Sequence, residues 1–184
     1  MKHDNDIDLI AQTLDGNRRA FRLLVERYER PIFKMVSLLI NEDAQVEEIA
    51  QETFLRAYKS LSRYTSAKGA SFSTWLFTIA RNLCFNALKT NRRRQLHPLD
   101  VSKERSDDRD AESHAASRER AALVRDAILT LPLEFRNAVV LSCIEELSIK
   151  EIAHIERCSE GTVKSRIFRG KKRLHGVLKP LIGE

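Results

Sequence analysis

Apolar positions recur three and four residues apart along most of the chain, the spacing of helices that turn one face to a core. Asp6 to Leu14 opens the series, with Ile7, Ile10 and Leu14 on one side, and Asp15-Gly16-Asn17 punctuates it as a turn. Ala20, Phe21, Leu24, Val25, Tyr28, Ile32, Phe33, Val36 and Leu39 continue the pattern. Pro31 lies inside that run and has no N–H to donate, which predicts a kink or break near Arg30. Beyond Asn41-Glu42-Asp43, a helix from about Ala44 to Leu61 turns Val46, Ile49, Ala50, Phe54, Tyr58 and Leu61 inward. Its outer face carries Gln45, Glu47, Glu48, Gln51, Glu52 and Arg56.

Arg63 to Ala70 holds turn formers and one aromatic, so it reads as a loop. The helix that begins at Ser71 has Trp75, Leu76, Ile79 and Leu83 as its apolar stripe and ends in Arg92, Arg93 and Arg94. Thr74, Thr78, Asn82, Asn86 and Lys89 fall on another of its faces at spacings of three or four. From Gln95 to about Arg118 the chain turns polar and mixed in charge, the composition of a flexible linker. Helical spacing resumes at Glu119 with Ala122, Val124, Ala127, Ile128 and Leu131. Leu131-Pro132 restarts the chain, and Phe135, Val139, Val140, Leu141 and Ile144 supply further core. No internal repeat and no β pattern emerges. The expected fold is all-α: two small helical domains, 1–94 and 119–184, joined by a flexible linker over 95–118.

The sharpest local pattern is Ser148 to Leu174, SIKEIAHIERCSEGTVKSRIFRGKKRL. Ser148 and Glu151 have the spacing of a capping box, and Ile149, Ile152 and Ala153 share a face. Arg157 and Cys158 interrupt the pattern, Ser159 can cap a second helix, and Glu160 suits that helix's positive end. Val163, Ile167 and Leu174 form the buried stripe of this second helix, while Lys164, Arg166, Arg169, Lys171, Lys172 and Arg173 carry its charge. Cap, core, break, cap, core is the order of a helix-turn-helix, whose second helix enters the major groove of DNA. The plainer alternative is a solvated basic helix at the end of a helical domain.

Composition narrows the choice. The 184 residues carry a net charge of +6, with 42% hydrophobic and 32% charged positions, which favours an acidic partner such as nucleic acid. No apolar run approaches the roughly 20 residues needed to cross a bilayer, so no membrane insertion and a cytoplasmic location are expected. Cys84, Cys143 and Cys158 are too few and too scattered for a disulfide framework. His154 and Cys158, four apart, would make half a metal site without a second pair. No Gly-rich phosphate loop and no acid–base or nucleophile constellation is visible, so neither enzyme nor cofactor is expected. On the residues alone, the helix from Ser71 is either a core helix with a basic C-terminal end or a single-strand reader. In the second case aromatics stack on bases, amides read their edges and arginines hold phosphates.

Four blocks in order resemble the extracytoplasmic-function group of bacterial sigma factors, the minimal two-domain type of the sigma-70 family. They are EEIAQETFLRAY (Glu47 to Tyr58), FSTWLFTIARN (Phe72 to Asn82) with Asn86 and the arginine run, LPLEFR (Leu131 to Arg136), and the Ser148 to Leu174 string. The resemblance spans nearly the whole chain and is weakest from Gln95 to Arg118. It implies docking on core RNA polymerase, at the β′ clamp helices through Glu47, Glu48, Gln51, Glu52 and Arg56, with further contact to the β subunit. Recognition and melting of the −10 promoter element would involve Tyr64, Lys68, Ser71, Phe72, Trp75, Asn82, Asn86, Lys89, Arg92, Arg93 and Arg94. The −35 duplex would be read by Ser159, Thr162, Lys164, Ser165, Arg166, Arg169 and Lys172. An anti-sigma factor, in some relatives membrane-bound, is the implied regulator. Many members have Asp where this chain has Asn86, and Cys158 and Gly170 stand where a Gly-like turn residue and an Ala are usual. The competing readings are a dimeric helix-turn-helix regulator with a sensing domain, and a helical enzyme with an appended DNA-binding domain. A regulator has no reason to carry Phe72 to Arg94.

Overall fold

The computed structural model describes residues 2–65, 70–95 and 115–182. Every regular element among them is a helix: α1 (Lys2–Leu14), α2 (Arg18–Leu39), α3 (Asp43–Ser60), a 3-10 turn (Leu61–Arg63), α4 (Phe72–Gln95), α5 (Ala115–Leu129), α6 (Leu133–Cys143), α7 (Ile149–Glu156) and α8 (Glu160–Ile182). Helices α1 to α4 pack as one bundle and α5 to α8 as another. Residues 96–114, most of the expected linker, lie outside the described residues.

Helix α2 continues through Pro31, so of the expected kink or break near Arg30 the break does not occur. Tyr28, Ile32, Met35 and Val36 are buried on both sides of the proline. Burial of such side chains is worth roughly 1.5–3 kcal/mol each, which outweighs the ~3 kcal/mol cost of an interior proline.

Buried faces differ from those the apolar spacing suggested, most in α1 and α3, and Phe33 of α2 and Ala122 and Val124 of α5 are also exposed. In α1 the core side is Asp6, Leu9, Ile10 and Thr13, while Ile7 and Leu14 are exposed. In α3 it is Val46, Ile49, Thr53 and Ala57; Tyr58 is exposed and Ala50 and Phe54 only half-buried. Polar residues enter these faces because their groups are satisfied there. Thr13 Oγ1 donates to the Leu9 carbonyl at 2.7 Å and Thr53 Oγ1 to the Ile49 carbonyl at 2.7 Å. Asp6 accepts from Tyr28 Oη and from the Arg27 guanidinium.

In the second bundle Pro132 is the N-cap of α6 rather than its first residue. Asn137, buried in mid-helix, donates to Glu156 Oε1 at 2.7 Å. Helix α8 crosses α6 at Gly170, where an added Cβ would stand 2.5 Å from Val139 Cγ2 and 3.3 Å from the Phe135 carbonyl oxygen. This close crossing accounts for the glycine where the sigma-factor pattern has Ala.

The bundles also pack on each other. Thr74 Oγ1 of α4 donates to Glu151 Oε1 of α7 at 3.2 Å, and Arg125 of α5 pairs with Asp43 of α3 at 3.1 Å. Arg136 is the tightest joint. Its guanidinium donates to the carbonyls of Leu129 and Leu131 in its own bundle and, at 2.9 Å, to the Leu39 carbonyl at the end of α2. A cation at the negative ends of two helices is also favoured by their dipoles.

Candidate nucleic-acid interface

Helix α4 begins at Ser71, whose Oγ accepts from the Thr74 backbone N–H at 3.2 Å as an N-cap does. That cap sets which α4 side chains point away from the core. Phe72, Leu76, Phe77, Ala80, Leu83 and Cys84 are buried. Thr74, expected on the polar face, is buried against α7, whereas Trp75 and Ile79, expected in the apolar stripe, are half-buried like Thr78 and Asn82, and Asn86 and Lys89 are exposed. From Trp75 to Lys89 the line runs about 21 Å at 1.5 Å per residue.

Tyr64 and Trp75 lie 5.3 Å apart between ring centres, with Phe72 beneath at 5.7 Å from each. Tyr64 Oη donates to the Ala70 carbonyl at 3.2 Å, so the aromatic group ties Tyr64 to the residue just before the α4 cap. Phe72 is therefore a floor rather than an exposed contact. Arg81 lies over the Phe85 ring at 3.8 Å and donates to Asn82 Oδ1 at 3.1 Å. Lys68 and the side chains of Arg92, Arg93 and Arg94 lie outside the described residues, although the α4 backbone continues to Gln95.

The helix-turn-helix is built as its spacing suggested. Both halves of the Ser148–Glu151 capping box are present. Arg157 ends α7 in the left-handed region, at φ 52°, so the turn is set without a glycine. Ser159 Oγ accepts from the Thr162 backbone N–H at 3.1 Å and starts α8. Ser159, Lys164, Ser165, Arg169 and Lys172 are exposed and Thr162 is half-buried.

Arg166 behaves differently. Its guanidinium turns inward onto Glu156, whose side chain is only 1% exposed and also accepts from Asn137. Burial lowers the Arg166 pKa, but the hydrogen bond and charge of Glu156 more than offset this and the net shift is upward. Cys158 borders the same cluster; burial first, and then Glu156, push its thiol up, which leaves it a poor nucleophile. Cys84 is fully buried, which pushes its thiol up to about 12.

One exposed residue escaped the sequence reading. Phe168 is 69% exposed in the middle of the basic face of α8. The available signal was its position next to, and not within, the Val163–Ile167–Leu174 stripe.

The half-buried part of α4 faces α7 and the turn of the helix-turn-helix rather than the basic face of α8. Trp75, Thr78, Ile79 and Asn82 of α4 form one wall of a cleft of about 880 Å³, and Ala153, His154, Arg157, Cys158 and Ser159 form the other. A third surface lies on α3, where Glu47, Glu48, Gln51 and Arg56 are exposed and Glu52 is half-buried, paired with Arg56 at 2.6 Å. Beside it an apolar groove of about 430 Å³ between α2 and α3 is lined by Val25, Phe33, Ala50 and Phe54, with Glu29, Arg30, Lys34 and Gln51 at its rim.

Comparison with known proteins matches these bundles to two families. Residues 24–94 match the family described as Sigma-70 region 2, and residues 121–174 the family described as Sigma-70, region 4. The chain is 34% identical to the RNA polymerase sigma-H factor of Pseudomonas aeruginosa, over 100% of this chain and 99% of that protein. It is 31% identical to the ECF RNA polymerase sigma-E factor of Escherichia coli strain K12, over 95% of this chain and 94% of that one. Among solved structures, it is similar to CnrH in complex with the cytosolic domain of CnrY, with a TM-score of 0.72 and 26% identity over 96% of this chain and 99% of that one. The sigma factor RpoE of Bartonella quintana, solved with the anti-sigma factor NepR, shares the fold at a TM-score of 0.73 and 23% identity, over 86% of this chain and 96% of that one.

Proposed function

The chain belongs to the extracytoplasmic-function sigma factors of the sigma-70 family, and from that membership we propose how its surfaces divide the work of initiation. As a sigma factor it binds core RNA polymerase and directs it to promoters, under the control of an anti-sigma factor. Synthesis of RNA belongs to the polymerase.

In this reading the unit that ends with α4, over 1–94, docks on the polymerase and opens the −10 element. The exposed face of α3 (Glu47, Glu48, Gln51 and Arg56, with Glu52 behind) meets the β′ clamp helices, and the adjacent apolar groove accepts side chains from the same partner. Tyr64 and Trp75 offer aromatic faces to unstacked bases, and Asn82 and Asn86 offer amides to their edges. Lys68, Lys89 and the Arg92–Arg94 run attract the strand backbone. Ser71 caps the helix, and Phe72 supports the aromatic pair from below.

The unit over 119–184 reads the −35 duplex. Ser159, Thr162, Lys164, Ser165, Arg169 and Lys172 face the groove and its phosphates, and Phe168 suits a thymine methyl. Arg166 serves this surface from behind, as the brace on Glu156. The linker, expected over 95–118 and bounded in the structure by the end of α4 at Gln95 and the start of α5 at Ala115, joins two weak readers into one specific one and contacts the β subunit on its way. A duplex does not fit the cleft between α4 and the α7–α8 turn, so the bundles separate on the polymerase. The protein works in the cytoplasm at the nucleoid, and a membrane-bound anti-sigma factor would hold it at the inner membrane.

The observation that carries the assignment is the pairing on one chain of the capped polar line of α4 with a capped, basic helix-turn-helix. Transcription of a promoter library by purified core polymerase, with and without the protein, tests it. Transcripts that share a two-part motif upstream of the start support it. No gain by the core, together with tight binding of a duplex operator by the protein alone, would overturn it in favour of a regulator.

A further inference from the structure

The cluster around Asp6 has no part in the roles above. Asp6 is 2% exposed on α1, an interior position where a carboxylate survives only if it is partnered. Its oxygens accept from the Arg27 guanidinium and from Tyr28 Oη. Tyr28, itself buried, meets Phe72 edge-on at 5.6 Å between ring centres. Phe72 then supports Tyr64 and Trp75, and Tyr64 holds the Ala70 carbonyl. One continuous line of contacts thus joins an acid near the start of the chain to Tyr64 and Ala70.

The charge of Asp6 is felt along that line. The Tyr64 hydroxyl is pushed up, first by its burial and then by Asp6, and the Tyr28 hydroxyl is pushed up by burial and by its bond to Asp6. Both phenols, protonated at neutral pH in any case, hold their protons more firmly and remain donors. The alternative, that the cluster merely glues α1 to α2, accounts for Arg27. It leaves unexplained why the second acceptor oxygen binds Tyr28, whose ring packs on Phe72 beneath Tyr64 and Trp75.

We propose that Asp6 is a positioning residue for −10 recognition. Through Tyr28 it sets the tilt of the Phe72 ring and so the spacing and orientation of Tyr64 and Trp75, the aromatic pair that receives an unstacked base. The inference rests on the −10 role assigned to α4, and it adds a determinant from α1, outside both matched regions.

Trp75 is the only tryptophan of the chain, so its emission reports this cluster directly. Asp6→Asn removes the charge and Tyr28→Phe removes only the hydroxyl; the second variant keeps the ring and guards against misfolding in the first. Emission would be recorded on the free factors. Affinity for a fluorescent single-stranded −10 oligonucleotide, and competition for core polymerase, would be measured with the assembled holoenzymes. Both variants are expected to shift the Trp75 emission and weaken oligonucleotide binding about fivefold to tenfold, the upper part of the range of one hydrogen bond of ordinary net strength. Core binding should stay within about twofold, since the contribution of a distant interaction adds independently. Asp6→Glu should recover part of the loss.

Unchanged oligonucleotide affinity in the variants, whatever their melting temperature, would overturn the proposal. So would a loss of core binding equal to the loss of oligonucleotide binding, which is the mark of global unfolding. A wild-type holoenzyme that ignores the oligonucleotide would instead sink the −10 assignment itself.

Discussion

Arg166→Ala separates a brace from a DNA contact. The guanidinium donates to Glu156, which is nearly fully buried and also accepts from the Asn137 amide. Removing one partner of a fully buried pair costs about 3–5 kcal/mol because the remaining charge is stranded. Here the Arg166 side chain is 27% exposed and Asn137 stays, so we scale the figure to about 1.5–3 kcal/mol. Most of that cost lies in the stranded carboxylate. Replacing it by an amide in the double variant Arg166→Ala/Glu156→Gln should therefore recover about half. Urea unfolding followed by far-UV circular dichroism measures both as midpoint shifts at constant slope. Binding to a −35 duplex should fall in proportion to the lost folded fraction and return with it in the double variant. An Arg166→Ala protein that unfolds like the wild type, yet loses −35 binding, would refute the brace. It would show that the side chain swings out to the DNA.

Three further outcomes follow from the packing. Gly170→Ala should destabilise by about 0.5–2 kcal/mol, because overpacking against Val139 exceeds the ~1 kcal/mol gained in helix propensity; adding Val139→Ala should remove the clash, and a double-mutant cycle without coupling would contradict it. Glu145 has an oxygen without a hydrogen-bond partner, and burial raises its carboxyl pKa to about 7, with Lys34 lowering it in part. Since the unfolded chain loses this proton at lower pH, stability should fall as pH rises from about 4.5 to 7. Glu145→Gln should flatten that slope in thermal melts, and an unaltered profile would refute the assignment. Arg136→Ala, which frees three main-chain carbonyls, should destabilise by about 2–4 kcal/mol, and Arg136→Lys should restore little because one ammonium cannot match the fork. Recovery of wild-type stability by the lysine variant, again by urea unfolding, would argue against that geometry.

The chain's own pattern determined most of its helices, both caps of the helix-turn-helix and, of the polar line on α4, Thr78, Asn82, Asn86 and Lys89 but not Thr74, which is buried. These depend on neighbours three or four residues apart, so local spacing carries them. Ser148 with Glu151, and Ser159 with Thr162, are legible in a string of letters because each bond closes within one turn of helix. Tertiary structure alone decided the rest, because the partners lie far apart in sequence. Asp6 is an ordinary surface acid until Tyr28 and Arg27 enclose it, and Arg166 is an ordinary recognition-helix cation until Glu156 does the same. Pro31 reads as a break until the residues around it are buried. Gly170 reads as a neutral departure until Val139 lies against it. A buried polar group or a forbidden methyl is defined by what surrounds it, and only the folded chain supplies those surroundings.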